Sequence, residues 1–321
     1  MKRAVRLLLV LLVCSLQNVA SADTAPVDWL KRMVQANASL DYSGTFIYQS
    51  GNTSESSRIV HGVDNGREME WIEVLDGPPR EVLRKNDEVR AFLPGEKRVV
   101  VENRSGGRGF PGKVTVAPEL LLDYYTLKVG AGERIAGHEA RLLVLEPRDT
   151  LRFGHRFWIE ANNALLLKAQ VVDGRGQIIE QFSFTQLSIG SPIDFEAIKG
   201  RWQQPLAGWQ VDNLLPGEVL TSTTGWGLRR QVAGFHKISE WRRRLGDTEG
   251  SVLHLLFSDG VAAISVFIAP VAKTRPIRSV TSSQGGVSMH VRQMSDHVIT
   301  AVGEAPPATV RKIADSLELK R

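Results

Sequence analysis

Seven histidines and one cysteine are the side chains in this chain best suited to metal or nucleophilic chemistry. The histidines are His61, His138, His155, His236, His254, His290 and His297. No two are four apart, so no helix face offers an i, i+4 ligand pair, and H-E-x-x-H is absent. Cys14 lies in a segment expected to be removed. The mature chain then has no thiolate nucleophile, no disulfide and no cysteine-based zinc site. Gly107-Arg108-Gly109-Phe110-Pro111-Gly112 has the G-x-G-x-x-G spacing, but its context is wrong. Pro111 removes a backbone N–H that would hold phosphate, no helix starts there, and no βαβ unit surrounds it. No G-x-S-x-G elbow exists, which disfavours an α/β-hydrolase. A Ser-His-Asp triad built across the fold stays open from one sequence. The sequence thus assigns no catalytic residue, no metal ligand and no cofactor, and points to binding.

Two groups of residues could bind. Bulky rings recur in separate strand-like runs: Phe46, Tyr48, Trp71, Phe92, Phe157, Trp158, Phe182 and Phe184. A packed core accounts for most of them. A strongly curved antiparallel sheet can also leave an apolar interior open to a lipid-sized ligand. On that reading Phe46, Tyr48, Trp71, Phe92, Phe157, Phe182 and Phe184 are lipid-binding candidates. Alternation puts Phe182 and Phe184 on one face and Ser183 on the other. The second group is basic: Arg229-Arg230, Arg242-Arg243-Arg244, and Arg104, Arg108 and Lys113. Such runs are usually a solvated face, but they also suit the phosphates of an anionic lipid or an acidic peptide. Trp and Arg anchor interfaces more often than other residues, so Trp209, Trp226, Arg229, Arg230 and Phe267 are candidates for a protein partner. For Phe267, core packing is the alternative.

The elements that position these residues are legible in the patterning. The chain has 321 residues, 42% hydrophobic and 23% charged, which suits two globular domains. Residues 1–22 read as a signal peptide: Lys2, Arg3 and Arg6, then an apolar run from Leu7 to Leu16, then Ala20-Ser21-Ala22 as the cleavage pattern. A lipoprotein signal ending at Cys14 is the rival, disfavoured by the bulk of Val13. Removing three of 40 basic residues leaves 37 against 35 acidic, a balance unlike a nucleic-acid binder. The expected product is soluble, exported and periplasmic.

Pro26 and the spacing of Trp29, Leu30, Met33 and Val34 predict a helix. From Tyr42 onward short runs separated by turns predict an antiparallel meander, with Asp64-Asn65-Gly66 and Asp173-Gly174-Arg175-Gly176 as tight turns. Pro118 to Tyr125 reads as a short helix. Residues 105–112 read as a loop. Two prolines, Pro192 and Pro205, and little periodicity place a linker at 191–212. Beyond it, Ser258-Asp259-Gly260 and Ser295-Asp296 join two strand pairs, and Val310, Ile313, Ala314 and Leu317 line a terminal helix. The expected division is 23–190, a linker at 191–212, and a smaller unit at 213–321.

Several segments carry a family resemblance. They are Asp28-Trp29-Leu30, Tyr42 to Tyr48 (Tyr-Ser-Gly-Thr-Phe-Ile-Tyr), Arg80-Glu81-Val82-Leu83-Arg84, and Glu146-Pro147-Arg148-Asp149 with Phe153-Gly154-His155-Arg156. Gln181 to Leu187, Phe257-Ser258-Asp259-Gly260-Val261-Ala262, Ser265 to Ile268 and Val302 to Pro306 continue the series. In order and spacing the chain resembles the RseB/MucB family of periplasmic regulators of the sigma-E (AlgU-type) envelope-stress response.

The resemblance implies a mainly β fold with some α. A large LolA/LolB-like open β-barrel domain with covering helices would be followed by a smaller α+β domain, an antiparallel sheet plus C-terminal helix. It implies binding to the periplasmic domain of a transmembrane anti-sigma factor of the RseA/MucA type, shielding it from proteolysis. Release would follow a lipid-type signal, lipopolysaccharide or the acyl chains of mislocalised lipoproteins. A lipid or lipoprotein carrier of the LolA/LolB type is the alternative, and a periplasmic hydrolase the third class. A homo-oligomer is left open.

Overall fold

A computed structural model describes residues 25–103, 114, 116–213, 218–219, 224–243, 251–271 and 277–319. The expected signal peptide and the loop at 105–112 lie outside the described residues, as do Arg104, Arg108, Lys113 and Arg244.

Helix α1 (Pro26–Ser39) starts on a proline, whose missing N–H would be unpaired there in any residue, and Asp28 complements the first-turn dipole. It buries Trp29, Leu30, Met33 and Ala36. Asn37 fixes its far end by accepting from the Leu166 N–H at 3.1 Å. The strands that follow are β1 (Tyr42–Ser50), β2 (Thr53–Asp64), β3 (Arg67–Val74), β4 (Glu81–Lys85), β5 (Glu88–Leu93) and β6 (Arg98–Asn103). After them come β7 (Tyr125–Val129), β8 (Glu133–Ile135), β9 (His138–Pro147), β10 (Gly154–Glu160), β11 (Leu166–Val172) and β12 (Ile178–Ile189). The turn predicted as a helix at Pro118 is a 3₁₀ helix, Pro118–Asp123.

With β13 (Gln210–Asn213) added, these strands form one sheet in the order β13-β6-β5-β4-β3-β2-β1-β12-β11-β10-β9-β7, with β8 on β9. β1 lies in the middle, paired antiparallel to both β2 and β12. A bulge at Thr45/Phe46 brings Phe46 opposite Phe184. Gly44 beside it has no room for a side chain: a Cβ would lie 2.3 Å from the Gln186 carbonyl oxygen. The edge strands β7 and β13 are not neighbours in that order, so the barrel is unclosed.

The segment expected as a linker is folded onto this sheet. Helix α2 (Phe195–Trp202) is capped by Asp194, which accepts from the Ala197 N–H at 3.0 Å. Strand β13 (Gln210–Asn213) then adds to β6 in parallel, an exception to the antiparallel meander. The prolines mask a short amphipathic helix whose Ile198 is buried under the sheet.

The smaller unit contains β14 (Glu218–Val219), β15 (Trp226–Leu228), β16 (His236–Arg243), β17 (Val252–Ser258), β18 (Ala263–Pro270), β19 (Val280–Gln284), β20 (Val287–Met294) and β21 (His297–Gly303). Helix α3 (Pro307–Ser316) and β22 (Leu317–Leu319) close it. Its sheet runs β14-β16-β17-β18-β21-β20-β19, and β15 pairs with β22. Val310, Ile313 and Ala314 of α3 pack on Leu255, Ile264, Val266, Ile299 and Ala301, as the helical spacing predicts.

Candidate functional site

Three places in the fold gather chemistry. The first is the apolar face of the large sheet beneath α1. Phe46, Phe182 and Phe184 form a ring cluster there: Phe46 and Phe182 have centroids 5.0 Å apart, and Phe182 meets Phe184 edge-on at 5.0 Å. Phe157 belongs to the same cluster, and Tyr48 packs half-buried against it. Burial, then Glu180, pushes the Tyr48 hydroxyl up to about 12.

Trp71 and Phe92 do not join them. They point to the other face of the sheet, toward α2, and pack with Met69, Leu83, Val99 and Ile198. Trp71 donates to Glu81 at 3.2 Å, and Arg201 of α2 stacks over its ring at 4.0 Å. One ligand cavity therefore does not contain all seven candidates: a sheet covered on both faces reads as apolar on both. A separate depression of about 440 Å³ lies over the bulge, lined by Ser43, Gly44, Thr45, Arg58, Gln186 and their neighbours. Its one cation, Arg58, is engaged by Glu73 at 2.8 Å.

The second place is the face of the small sheet opposite α3. Cross-strand pairing sets Trp241, His254, Phe267, Thr300, Val291 and Val280 in one row across six strands. The Trp241 and His254 centroids are 4.9 Å apart, and His254 stacks on Phe267 at 4.4 Å and 19°. Phe267 is half-buried and faces away from the α3 core, while Val280, Val287 and Met289 on this side are exposed. Such a stripe is the kind of surface partners cover.

The other partner candidates are scattered. Trp209 belongs to the large unit and meets Phe92 edge-on at 6.0 Å. Trp226 is a core residue of the small unit, packed on His297 at 5.3 Å. Arg229 and Arg230 are exposed. Sequence reading missed Trp241 and His254. Trp241 adjoins a run read only as a basic cluster, and His254 sits in an apolar run without alternation.

The third place is the junction between the units. The β17–β18 tip, Ser258-Asp259-Gly260-Val261, inserts beside Tyr125 of β7. Asp259 accepts from the Tyr125 hydroxyl at 3.1 Å and from Arg152 Nη1 at 3.0 Å. Arg152 also grips Asp149 through Nε at 3.0 Å and Nη2 at 3.1 Å, and donates to the Ala233 carbonyl at 2.7 Å. The Arg152 and Asp259 side chains are both 0% exposed. The same carboxylate organises its own turn, taking the Val261 and Ala262 N–H groups at 3.0 and 2.8 Å. At a second point the Gly286 N–H, in the β19–β20 turn, donates to Glu180 at 3.1 Å.

Gly260 is required twice over. Its φ is +100°, and a Cβ would fall 2.3 Å from Val116 and 3.0 Å from Leu121. Gly260→Ala is expected to destabilise the chain by at least ~1–3 kcal/mol through backbone strain alone. Thermal unfolding of the variant checks this, and an unchanged midpoint would refute the fit described.

Among the described residues no group of three or more His, Cys, Asp or Glu could hold a metal ion, and no helix is long and apolar enough to cross a membrane. An unclosed barrel with an aromatic interior, joined to a unit whose free sheet face carries a half-buried aromatic row beside exposed aliphatic residues, defines a two-part binding protein. Family models for the MucB/RseB N-terminal domain and the MucB/RseB C-terminal domain match residues 25–203 and 220–318. The chain belongs to the MucB/RseB family.

Among curated relatives, it is 29% identical to the sigma factor AlgU regulatory protein MucB of Pseudomonas aeruginosa, over 96% of each chain. It is 28% identical to the sigma-E factor regulatory protein RseB of Salmonella typhimurium, over 94% of this chain and 93% of that one. Among solved structures, the Pseudomonas aeruginosa MucA/MucB complex matches at a TM-score of 0.73 and 26% identity, covering 92% of this chain and 99% of that one. A structure of MucB in complex with MucA(peri) matches at 0.71 and 26%, covering 92% and 98%.

Proposed function

We propose that this chain is a periplasmic regulator that binds the periplasmic segment of a transmembrane anti-sigma factor of the MucA/RseA type and shields it from proteolysis. A lipid-type signal, lipopolysaccharide or lipoprotein acyl chains, releases it. The observation that carries this reading is the match of both units, over 92% of the chain, to a MucB that is itself in complex with MucA. The aromatic row on the small sheet supplies a docking face. The ring cluster under α1 supplies an apolar environment suited to acyl chains. The logic is linkage: a lipid shifts the balance only by its differential affinity for the released form.

The test is a pull-down from envelope extract with residues 23–321, repeated with lipopolysaccharide or a lipopeptide. Capture of a single-pass anti-sigma factor, lost on adding lipid, is expected. Capture of acylated lipoproteins without any anti-sigma factor would overturn the reading in favour of a carrier. Trp241→Ala and Phe267→Ala are each expected to weaken binding of the anti-sigma peptide by about 2 kcal/mol, some thirtyfold, as central aromatic anchors do. Titration calorimetry checks this; wild-type affinity in both variants would move the interface elsewhere.

A further inference from the structure

We propose that the β17–β18 tip is a stopper for the apolar interior of the large unit. An acyl chain entering beside Tyr125 and Leu121 takes the place of Gly260 and Val261, so the bound chain and this domain arrangement exclude each other. The inference rests on the reading of the protein as acyl-responsive.

Val261 is 7% exposed and, among the described residues, is the one member of the small unit in the cluster under α1. Its neighbour Gly260 lies directly against apolar side chains of the large unit, Val116 and Leu121, which belong with Val261 to that cluster. The exchange is mutual, because Leu151 of the large unit packs against the core of the small one. Apolar contact alone has no preferred register. The Arg152–Asp259–Tyr125 contacts provide one, since they fix the tip against named atoms of the large unit. A buried ion pair of this kind specifies an arrangement more than it stabilises it, because desolvation offsets much of its attraction. The arrangement is therefore well defined and still open to displacement.

The motifs involved are among those that carry the family resemblance, Arg148-Asp149 and Phe153-Gly154 on one side and Ser258-Asp259-Gly260-Val261 on the other. Arg152 itself lies between the first two. In the folded chain they meet across 107 residues of sequence.

The test uses the mature chain with spin labels at Asp87→Cys and Asp296→Cys, one exposed position in each unit; with Cys14 removed these are the only thiols. Two probes are used in separate arms, lipopolysaccharide and a triacylated lipopeptide. Either probe is expected to lengthen the label-to-label distance. Val261→Ala, which lightens the stopper, is expected to tighten binding of whichever probe binds about tenfold, because less free energy holds the closed form. The arm that responds identifies the source of the chain. Binding at an unchanged distance, or affinity in Val261→Ala that is equal or weaker, would overturn the stopper and leave lipid release standing. Failure of both probes to bind wild type and variant alike would overturn the stopper together with the lipid-release reading.

Discussion

Arg152→Ala is expected to cost about 3–5 kcal/mol of stability, the usual result of removing one member of a buried pair. The side chain is 0% exposed and serves four acceptor contacts, on Asp149, Asp259 and the Ala233 carbonyl. Its loss strands the Asp259 carboxylate, itself 0% exposed, with the Tyr125 hydroxyl as its remaining side-chain partner here. Three rings, Tyr124, Tyr125 and Phe235, lie within 4.7 to 5.6 Å of the guanidinium and would face a void. Arg152→Met with Asp259→Asn keeps the volume and removes the charge, so the double variant is expected to recover much of the loss. Urea unfolding followed by tryptophan fluorescence measures both. A loss below about 1 kcal/mol for Arg152→Ala, the range of exposed pairs, would show that the junction is wet and that Arg152 is not buried as described.

The second large effect is a loss of stability in acid that runs through His155. Burial pushes its pKa down to about 4, and the carboxylates of Asp259 and Glu304 pull upward without prevailing. Its ring stacks on Phe157 at 5.9 Å and 11° and lies 6.3 Å from Tyr125. The folded value lies below the ordinary 6.5, so the unfolded chain binds the extra proton first. The stability His155 confers is whole above about pH 6.5 and is lost as the pH falls toward 4. The shift corresponds to about 3 kcal/mol, and the partial accessibility of the residue lowers this to about 2–3 kcal/mol. His155→Phe is expected to flatten the decline between pH 6.5 and 4, read from urea midpoints. An unaltered acid slope would place the responsible groups elsewhere.

His61 works in the opposite sense. Burial lowers its pKa, but Glu68, Glu70 and the Leu40 carbonyl outweigh burial and the net shift is upward. Its contribution is present below 6.5 and fades as the pH rises through the folded value.

Much of this architecture is legible in the sequence. The hairpin at Ser258-Asp259-Gly260 and the helix at Pro307–Ser316 follow from residues whose local conformations are restrictive. Phe182 and Phe184 share a face because strands alternate. Trp71 and Phe92 were not assignable, because β3 and β5 belong to a sheet packed on one side by α1 and on the other by α2. Helix α2 was hidden by prolines and by its shortness, although Asp194 is a legible cap. β16 was overlooked because charged residues flank Trp241 and read as a solvated run. The junction was beyond reach for a different reason. Arg152 and Asp259 are 107 residues apart, and no local periodicity records such a pairing.

The parallel pairing of β13 with β6 sets how the two units behave once parted. Arg98 holds Asp212 at 2.5 Å, so the polypeptide stays fastened to the rim of the large sheet up to Asn213. Glu218, already in the small unit, is five residues on. A tether of that length reaches at most about 18 Å. The separated tip therefore faces its own socket at an effective concentration on the order of millimolar, whatever the abundance of the protein. Reclosure of the proposed stopper is therefore unimolecular, and its rate is expected to be independent of how many copies are present.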